Sequence, residues 1–276
     1  MNRISRRALC SLLLGGTICL LSPTLGCSKS ASGNVPSGGG QPNLNQEKPH
    51  GKLLICLLDE TASYTAEPGL WDSSVHRAAQ AITELRSGDS FLALAITDKG
   101  WRTQDIRIPL KTLTAPSLLQ MREKSDLMDQ VRALKVRPTS SGYLVNGKPI
   151  GKPLGTDLLG AIDFASFLAK DAGKRAVSIV LFTDMEDEVV VHPSAGAHLQ
   201  TFPRFTHVMA FNVRSGSDDP SNTSAGATAT KARIQHWMDT INSMKHPESG
   251  PVMEQEDIHL IGQMAAVKSV FGWTRR

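Results

Sequence analysis

The chain has 276 residues, enough for one large domain or two small ones. Apolar residues make up 40% of it, which supports a folded core and excludes a chain that is disordered throughout. The first 26 residues hold three of the 30 basic residues and no acid, which leaves 27 basic against 26 acidic residues. This near-neutral remainder lacks the basic footprint of a nucleic-acid-binding domain, so we expect no nucleic-acid partner.

The N-terminus has the pattern of an export signal. Three arginines precede a mostly apolar run over 8–21, which is too short to span a membrane as a helix. The segment ends at Gly26-Cys27 and resembles a bacterial lipoprotein signal, in which the cysteine receives lipid. Residues 1–26 are therefore predicted to be a lipoprotein-type signal peptide, with lipidation at Cys27. An ordinary cleaved signal is the alternative.

A tether is predicted between this signal and the folded domain. Residues 27–50 are rich in Ser, Gly and Pro and have almost nothing to bury, so we expect a disordered leash. The predicted protein is thus exported and anchored to a membrane of the bacterial cell envelope, with its folded domain over 51–276. Arg6 and Arg7 also fit a twin-arginine signal, which leaves the export route open.

The folded part alternates two hydrophobic patterns. Continuous apolar runs, typical of strands buried on both faces, occur over 53–58, 91–96, 176–182 and 207–213. Stripes with the 3.6-residue period of a helix occur over 75–85, 127–134, 158–169 and 234–241. Residues 106–110 alternate and contain a proline, which predicts an edge strand folded back on the second strand. The sequence therefore predicts an α/β domain with three layers, doubly wound, whose mostly parallel sheet has one antiparallel edge strand.

The remaining segments have weaker signals. Residues 136–154 and 186–203 lack a clear period and are predicted to be loops at the rim of a site. His192 and His198 lie in the second of these and are interpreted as surface residues. Residues 257–271 are ambiguous and at best weakly helical. Cys56 is the one cysteine after Cys27 and lies in an apolar run, so it is expected in the core, with no disulfide partner within the domain.

Hydroxyl and carboxylate side chains stand where the predicted strands end. Asp59, Thr61 and Ser63 follow the first strand, Thr156 opens a helix, and Asp184 follows another strand. The carboxyl ends of strands form the ligand crevice of a doubly wound sheet, so these side chains are expected to converge there. Oxygen ligands of this kind suit Mg²⁺, and also Mn²⁺ or Ca²⁺. Taken singly, the threonine could instead cap its helix, and the carboxylates could stand at strand ends without a metal.

This set of residues resembles the metal-ion-dependent adhesion site of the von Willebrand factor A domain family. The family pattern is Asp-x-Ser-x-Ser, a distant Thr and a distant Asp, and Thr61 here replaces the first serine while keeping its hydroxyl. The resemblance covers about residues 51–245 in the expected order of elements. It implies that Thr61, Ser63 and, in one state, Thr156 contact the metal directly, and that the two carboxylates act through bound waters.

The resemblance implies a Mg²⁺-dependent protein-binding module rather than an enzyme. A partner's Asp or Glu carboxylate would complete the metal shell. Two other functions stay open: a metal-assisted hydrolase with Glu60 or Asp184 as base, and a structural subunit of an envelope complex. Phosphoryl transfer of the haloacid dehalogenase type is disfavoured because Thr61 stands where that chemistry needs an aspartate. The full Gly-x-x-x-x-Gly-Lys-Ser/Thr pattern of a nucleotide loop does not occur in the sequence, nor does a Gly-x-Ser-x-Gly elbow.

Overall fold

A six-stranded sheet organises the part of the chain that the structure describes. The structure is a computed structural model that describes residues 51–98, 103–136, 143–145, 148–150, 156–172, 176–186, 199–214 and 224–261. In chain order the strands are β1 (Lys52–Asp59), β2 (Ser90–Ile96), β3 (Ile106–Thr112), β4 (Tyr143–Val145), β5 (Lys148–Ile150), β6 (Ala176–Phe182), β7 (Thr206–Val213) and β8 (Ile258–Leu260). The sheet order is β3-β2-β1-β6-β7-β8, and β4 and β5 form a separate two-stranded sheet. Within the large sheet only the β2–β3 pair is antiparallel.

Helices cover both faces of this sheet. The described helices are α1 (Ala62–Thr65), α2 (Leu70–Ile82), α3 (Ser117–Arg132), α4 (Leu158–Asp171) and α5 (Ser224–Ser243), with 3-10 turns at Thr103–Asp105 and Gln255–Asp257. The core under α2 and α3 is separate from the core under α4 and α5. The prediction of a three-layer, doubly wound domain with one antiparallel edge strand is therefore confirmed.

Strand β1 shows why this sequence builds two cores. Its apolar residues have no solvent exposure, and successive side chains point to opposite faces of the sheet. Leu53, Ile55 and Leu57 pack under α4 and α5, while Leu54, Cys56 and Leu58 pack under α2 and α3. Cys56 is a core residue, as predicted, and burial raises the pKa of its thiol well above the usual range. Such a thiol is a poor nucleophile at neutral pH.

Two sequence interpretations need correction. Residues 258–260, interpreted as weakly helical at best, form β8, which pairs in parallel with β7. Residues 143–150, predicted to lie in a loop, contain the β4–β5 pair. Strands of three residues are too short to show an alternating pattern, so only pairing with a neighbour reveals them. Residues 1–50 with Cys27, most of the predicted loop 186–203 with its two histidines, and residues 262–276 lie outside the described residues.

The strand order places the ligand crevice. The chain runs outward from β1 through β2 to β3, returns to β6 on the other side of β1, and then continues outward through β7 to β8. The direction of winding therefore reverses between β1 and β6. In sheets of this kind, ligands bind outside the carboxyl ends of the strands at the point of reversal. We call this the carboxyl edge of the sheet, and the opposite end the amino edge.

Gly51 enters β1 in a conformation that favours glycine. Its φ is +81°, and a Cβ atom there would lie 2.1 Å from the carbonyl oxygen of Gly88. Gly51→Ala is expected to lower the free energy of unfolding by more than about 2 kcal/mol, because backbone strain and a backbone clash both oppose it. Gly69 has a φ of +82° with open space around the same position, so Gly69→Ala should cost only about 1 kcal/mol. Equal losses in chemical denaturation would contradict this account.

None of the helices in the described residues combines the length and the apolar content needed to cross a bilayer.

Candidate metal centre

Asp59 ties the ends of two neighbouring strands together. It is the last residue of β1 and is fully buried. Its Oδ1 accepts hydrogen bonds from the backbone N–H of Thr61 at 2.9 Å and from the Thr61 hydroxyl at 2.5 Å. Its Oδ2 accepts a hydrogen bond at 2.8 Å from the hydroxyl of Thr183, which directly follows β6. The carboxylate therefore sits at the reversal point of the sheet, with its position set from both strands.

Asp184 stands next to this group and has an oxygen without a partner. It is fully buried, and its Oδ1 accepts a hydrogen bond at 3.0 Å from the N–H of Glu186. Its Oδ2 is buried and makes no hydrogen bond to any described residue. Buried carboxylate oxygens normally have a partner, so this oxygen is open to a ligand.

Thr156 presents a second buried oxygen of the same kind. The residue is 1% exposed, and its hydroxyl has no hydrogen-bond partner among the described residues. It does not cap α4, because Asp157 takes that role by accepting a hydrogen bond from Gly160 N–H at 2.8 Å. The N–H of Asp157 donates to the carbonyl of Thr97 at 2.8 Å, just beyond the end of β2. Thr156 thus lies beside the end of β2, whereas Asp184 lies beyond the end of β6, and β1 runs between these two strands.

Ser63 lies in α1, immediately after the Asp59 turn. Its backbone is helical, while its side chain is outside what the structure describes. The helix is held by the N–H and the hydroxyl of Thr65, which both donate to the carbonyl of Thr61, at 2.9 and 2.8 Å. The short helix therefore places the backbone of Ser63 at the same edge of the sheet as the two carboxylates.

A buried network anchors α1 from behind. The Tyr64 hydroxyl lies 2.6 Å from that of Ser74, and the Asn212 amide donates to both, at 2.8 and 3.1 Å. Asn212 has a φ of +64°, a left-handed conformation that asparagine tolerates better than most residues. The network joins α1 to α2 and β7, and it was not anticipated because its members are far apart in the chain.

Tyr64→Phe is expected to lower the free energy of unfolding by about 1–2 kcal/mol, since it removes two buried hydrogen bonds without changing the ring. Chemical denaturation of this variant, of Ser74→Ala and of the double variant measures the coupling between the two hydroxyls. Additive losses would contradict a shared network.

The two carboxylates have perturbed ionisation. Burial, followed by the charge of Asp184, raises the pKa of Asp59 to about 7. Burial also raises the pKa of Asp184 to about 6, although the charges of Arg214 and Arg233 act in the opposite direction. The folded protein therefore favours the neutral form of both carboxylates. A bound cation would instead stabilise their charged form.

The donor set fits a hard cation. The buried oxygens of Asp184 and Thr156 that lack partners, together with the other hydroxyl and carboxylate oxygens, match the ligands that Mg²⁺ prefers. Within the described ranges no group of three or more His, Cys, Asp or Glu side chains gathers as a metal site. A cation at this edge would therefore depend on hydroxyl and water ligands beside only two carboxylates.

Glu60, next to Asp59 in the chain, is paired with an arginine. It is fully buried and forms an ion pair with Arg107 of the edge strand β3. Its own N–H donates to the carbonyl of Ile96 at 3.0 Å, which continues the pairing of β1 with β2. The sequence leaves Glu60 open as a general base for a hydrolase, and the structure places its carboxylate in the ion pair with Arg107.

The turn after Asp184 is strained. Met185 has a φ of +60° and is fully buried, which is unusual for a non-glycine residue. Its N–H donates to the Thr183 hydroxyl at 3.1 Å, and its carbonyl accepts from the indole N–H of Trp237 at 3.0 Å. The bond from Trp237 connects α5 to the turn that positions Asp184. Strained residues held in this way are common at functional sites.

Two arginines flank the centre. Arg233 donates to Glu186 and to the carbonyl of Arg214, both at 3.0 Å. Arg214 lies 3.4 Å from Glu67 and 3.9 Å from Glu186. The side chain of Arg214 is 32% exposed and that of Arg233 is 25% exposed, so solvent and ligands reach both. Because both are paired with Glu67 or Glu186, this partly exposed rim beside Asp184 holds two positive and two negative charges.

Solved structures that match this chain include two whose names refer to von Willebrand factor A domains. The ArnB paralog VWA2 of Sulfolobus acidocaldarius matches with a TM-score of 0.33 and 14% identity, over 60% of this chain and 35% of that one. BatB of Bacteroides thetaiotaomicron matches with a TM-score of 0.44 and 14% identity, over 80% and 95%. A von Willebrand factor type A protein of Catenulispora acidiphila matches with a TM-score of 0.37 and 12% identity, over 80% and 40%.

This chain resembles von Willebrand factor A domains in fold. It spans about a third of the Sulfolobus protein and two fifths of the Catenulispora protein. No protein-family model and no curated protein matches it. The fold assignment depends on the strand order and pairing described above.

Several of the residues predicted from the sequence lie at this edge of the sheet. The structure brings Asp59, Thr61 and Asp184 together and places Thr156 at the end of the adjacent strand. The hydroxyl of Thr183 was missed, although its position between an apolar strand and an aspartate is a usable signal. The Glu60–Arg107 pair was also missed, because an arginine on an edge strand usually faces solvent.

Proposed function

We propose that this domain is a Mg²⁺-dependent protein-binding module that recognises an acidic group on its partner. The observation that supports this most directly is the pair of adjacent buried carboxylates, Asp59 and Asp184. One oxygen of Asp184, and the buried hydroxyl of Thr156 at the same edge of the sheet, make no hydrogen bond to a described residue. Buried charge without compensation is costly, so this arrangement favours occupation by a cation.

Each residue has a distinct part in the proposed centre. Thr61, Ser63 and Thr156 are the proposed direct ligands, and Asp59 and Asp184 hold charge and water around them. When bound, Mg²⁺ supplies a coordination position that a partner's Asp or Glu carboxylate fills. Neutral hydroxyls leave the ion more positive than a shell of carboxylates would, which favours an anionic ligand from outside.

Calorimetric titration of the purified chain with Mg²⁺, Mn²⁺ and Ca²⁺ tests the centre. Thr156→Val should weaken metal binding, because it removes the hydroxyl while keeping the shape of the side chain, and Thr156→Ser should retain it. Asp171→Asn, which changes an exposed acid at the far end of α4, should leave metal binding unchanged. Binding of equal strength in the valine and serine variants would remove this threonine from the centre.

We further propose that the chain is exported and anchored to a membrane of the bacterial envelope through lipid at Cys27. Metabolic labelling with a radioactive fatty acid should mark the wild-type protein and not the Cys27→Ser variant. Capture of partners from envelope extracts in Mg²⁺ and in excess chelator then tests recognition. Partners retained equally in chelator would favour a structural subunit over a metal-dependent module.

A further inference from the structure

The exposed apolar side chains of the described residues are concentrated at the amino edge of the sheet. Leu118 is 94% exposed, Met121 81%, Leu119 59% and Phe205 58%. Leu118 and Met121 are three residues apart in α3 and therefore lie on one side of its first turns. Large apolar side chains that protrude this far are normally covered by a partner when they cluster.

Hydrogen bonds place the start of α3 at the amino edge. Strand β3 runs antiparallel to β2 and ends at Thr112, opposite Ser90, the first residue of β2. The next residue, Leu113, accepts a hydrogen bond at 2.8 Å from Gly88 N–H, in the loop that leads into β2. Lys124 of α3 donates to the carbonyl of Thr83 at 2.8 Å, before the same loop. The apolar first turns of α3 therefore lie beside the beginning of β2.

Phe205 lies at the other end of this edge. It immediately precedes β7, and its carbonyl accepts a hydrogen bond at 2.8 Å from Val177, the second residue of β6. The guanidinium of Arg204 stands 5.4 Å from the centre of its ring. Apolar groups thus stand at both ends of the amino edge, and Arg204 beside one of them is paired with Glu248 at 3.2 Å.

The chain from the predicted lipid site enters between these groups. Gly51 precedes β1, which lies between β2 and β6 in the sheet. Residues 27–50 connect it to the predicted lipid site at Cys27. A lipid anchor at that cysteine would join the membrane to the amino edge, whereas the metal centre lies at the opposite edge.

The charge beside α3 suits an anionic surface. Arg86, Lys111 and Arg122 are exposed near this edge, together with the exposed acids Glu84 and Asp126. Glu123, the acid on the first turns of α3, is engaged with the N–H groups of Thr114 and Ala115. Exposed apolar residues flanked by lysine and arginine are typical of surfaces that insert shallowly into anionic lipid.

We propose that the amino edge docks on the lipid surface, with Leu118, Leu119, Met121 and Phe205 inserted into it. The parallel strands of the domain then begin near the membrane and end away from the membrane. The length of β1 separates the metal centre from the lipid by roughly 25 Å, at about 3.3 Å per residue. This inference depends on the proposed lipid anchor and does not depend on metal binding. A lipid surface is favoured over a second copy of the chain because the anchored segment leaves from this same edge.

Site-specific fluorescence on the lipidated protein tests this orientation. The full chain is isolated from membranes and reconstituted into vesicles of phosphatidylethanolamine and phosphatidylglycerol. Met121→Cys and Phe205→Cys are each labelled with an environment-sensitive dye, while Cys56 is buried and does not compete. Lys135→Cys is the matched control, because it is exposed just beyond the other end of α3, where its carbonyl accepts from Arg107.

Dyes at positions 121 and 205 are expected to shift to shorter wavelength and to lose most of their emission when the vesicles contain brominated lipid. The dye at position 135 should keep its emission. Leu118→Ser should reduce quenching of the dye at position 205, whereas Gln130→Ser, an exposed change near the other end of α3, should not. Similar quenching at all three positions would overturn the orientation.

Two further outcomes would also overturn the proposal. A dye shift that depends on protein concentration and not on brominated lipid would assign the amino edge to a second copy. Failure of the wild-type chain to float with the vesicles would remove the lipid anchor itself. Either result is separate from Mg²⁺ binding, which the calorimetric titration measures.

Discussion

Asp59→Asn is expected to weaken Mg²⁺ binding by about 10–100-fold, the range typical for groups that support metal ligands. The substitution keeps the shape of the side chain and an oxygen that accepts from Thr61, but it removes one of the two buried negative charges. The same change should leave the metal-free domain folded and slightly more stable above pH 7, because it removes a buried charge that is adjacent to Asp184.

Calorimetric titration and chemical denaturation in chelator measure the two effects on one variant. Asp171→Asn removes an equal charge from an exposed position and should change neither quantity. Loss of metal binding together with a loss of stability would point to damage of the turn rather than to the charge. Unchanged metal binding would mean that Asp59 has no part in a cation site.

Stability of the metal-free domain is expected to fall as the pH rises from about 4 to about 7. The folded state raises the pKa of Asp59 to about 7 and that of Asp184 to about 6, so it binds these protons more tightly than the unfolded chain does. The stabilising contribution of the protons is complete below the unfolded pKa near 4 and is lost through the folded values. The loss should be on the order of a few kcal/mol, since each pKa unit corresponds to about 1.4 kcal/mol.

Mg²⁺ should offset part of this loss because it binds the ionised pair. At pH 8, a metal concentration about 100 times the dissociation constant would stabilise the domain by about 2.7 kcal/mol. Thermal or chemical denaturation between pH 4 and pH 8, with chelator and with Mg²⁺, measures both effects. A metal-free domain whose stability rises from pH 5 to pH 8 would show that the carboxylates are already compensated by groups within the chain.

Much of the fold was predictable because its signals are local. The buried strands β1, β2, β6 and β7 are continuous apolar runs, and a parallel sheet covered on both faces requires such runs. The edge strand β3 was recognisable from its alternation and its proline. Strand β8 was not recognisable, because three residues carry no period and its formation depends on the exposed edge of β7.

The candidate centre was predictable to the extent that it consists of strand-end residues. Asp59, Thr61 and Asp184 follow apolar strands, and Thr156 stands just before an amphipathic helix. What could not be predicted is which of two neighbouring side chains caps α4. Asp157 and Thr156 are both suitable caps, and only the observed bond from Gly160 assigns the cap to Asp157 and leaves the threonine hydroxyl without a partner.

Supporting contacts escaped prediction for a common physical reason. Tyr64 and Asn212 are 148 residues apart, and the hydrogen bond between them exists only because α1 lies behind the end of β7. The hydroxyl of Thr183 reaches Asp59 across 124 residues. Long-range polar contacts of this kind depend on the exact placement of helices and strands. Hydrophobic periodicity carries no information about that placement.

By itself, the sequence determined the layers of this domain and the chemical types of residue at its strand ends, because both follow from short-range patterns of apolar and polar side chains. Only the tertiary structure decided that two of the carboxylates are adjacent and buried, that their surroundings leave two oxygens without partners, and that the exposed apolar residues lie at the opposite edge. These properties arise from the order in which strands assemble, and that order is set by packing between segments that are distant in the chain.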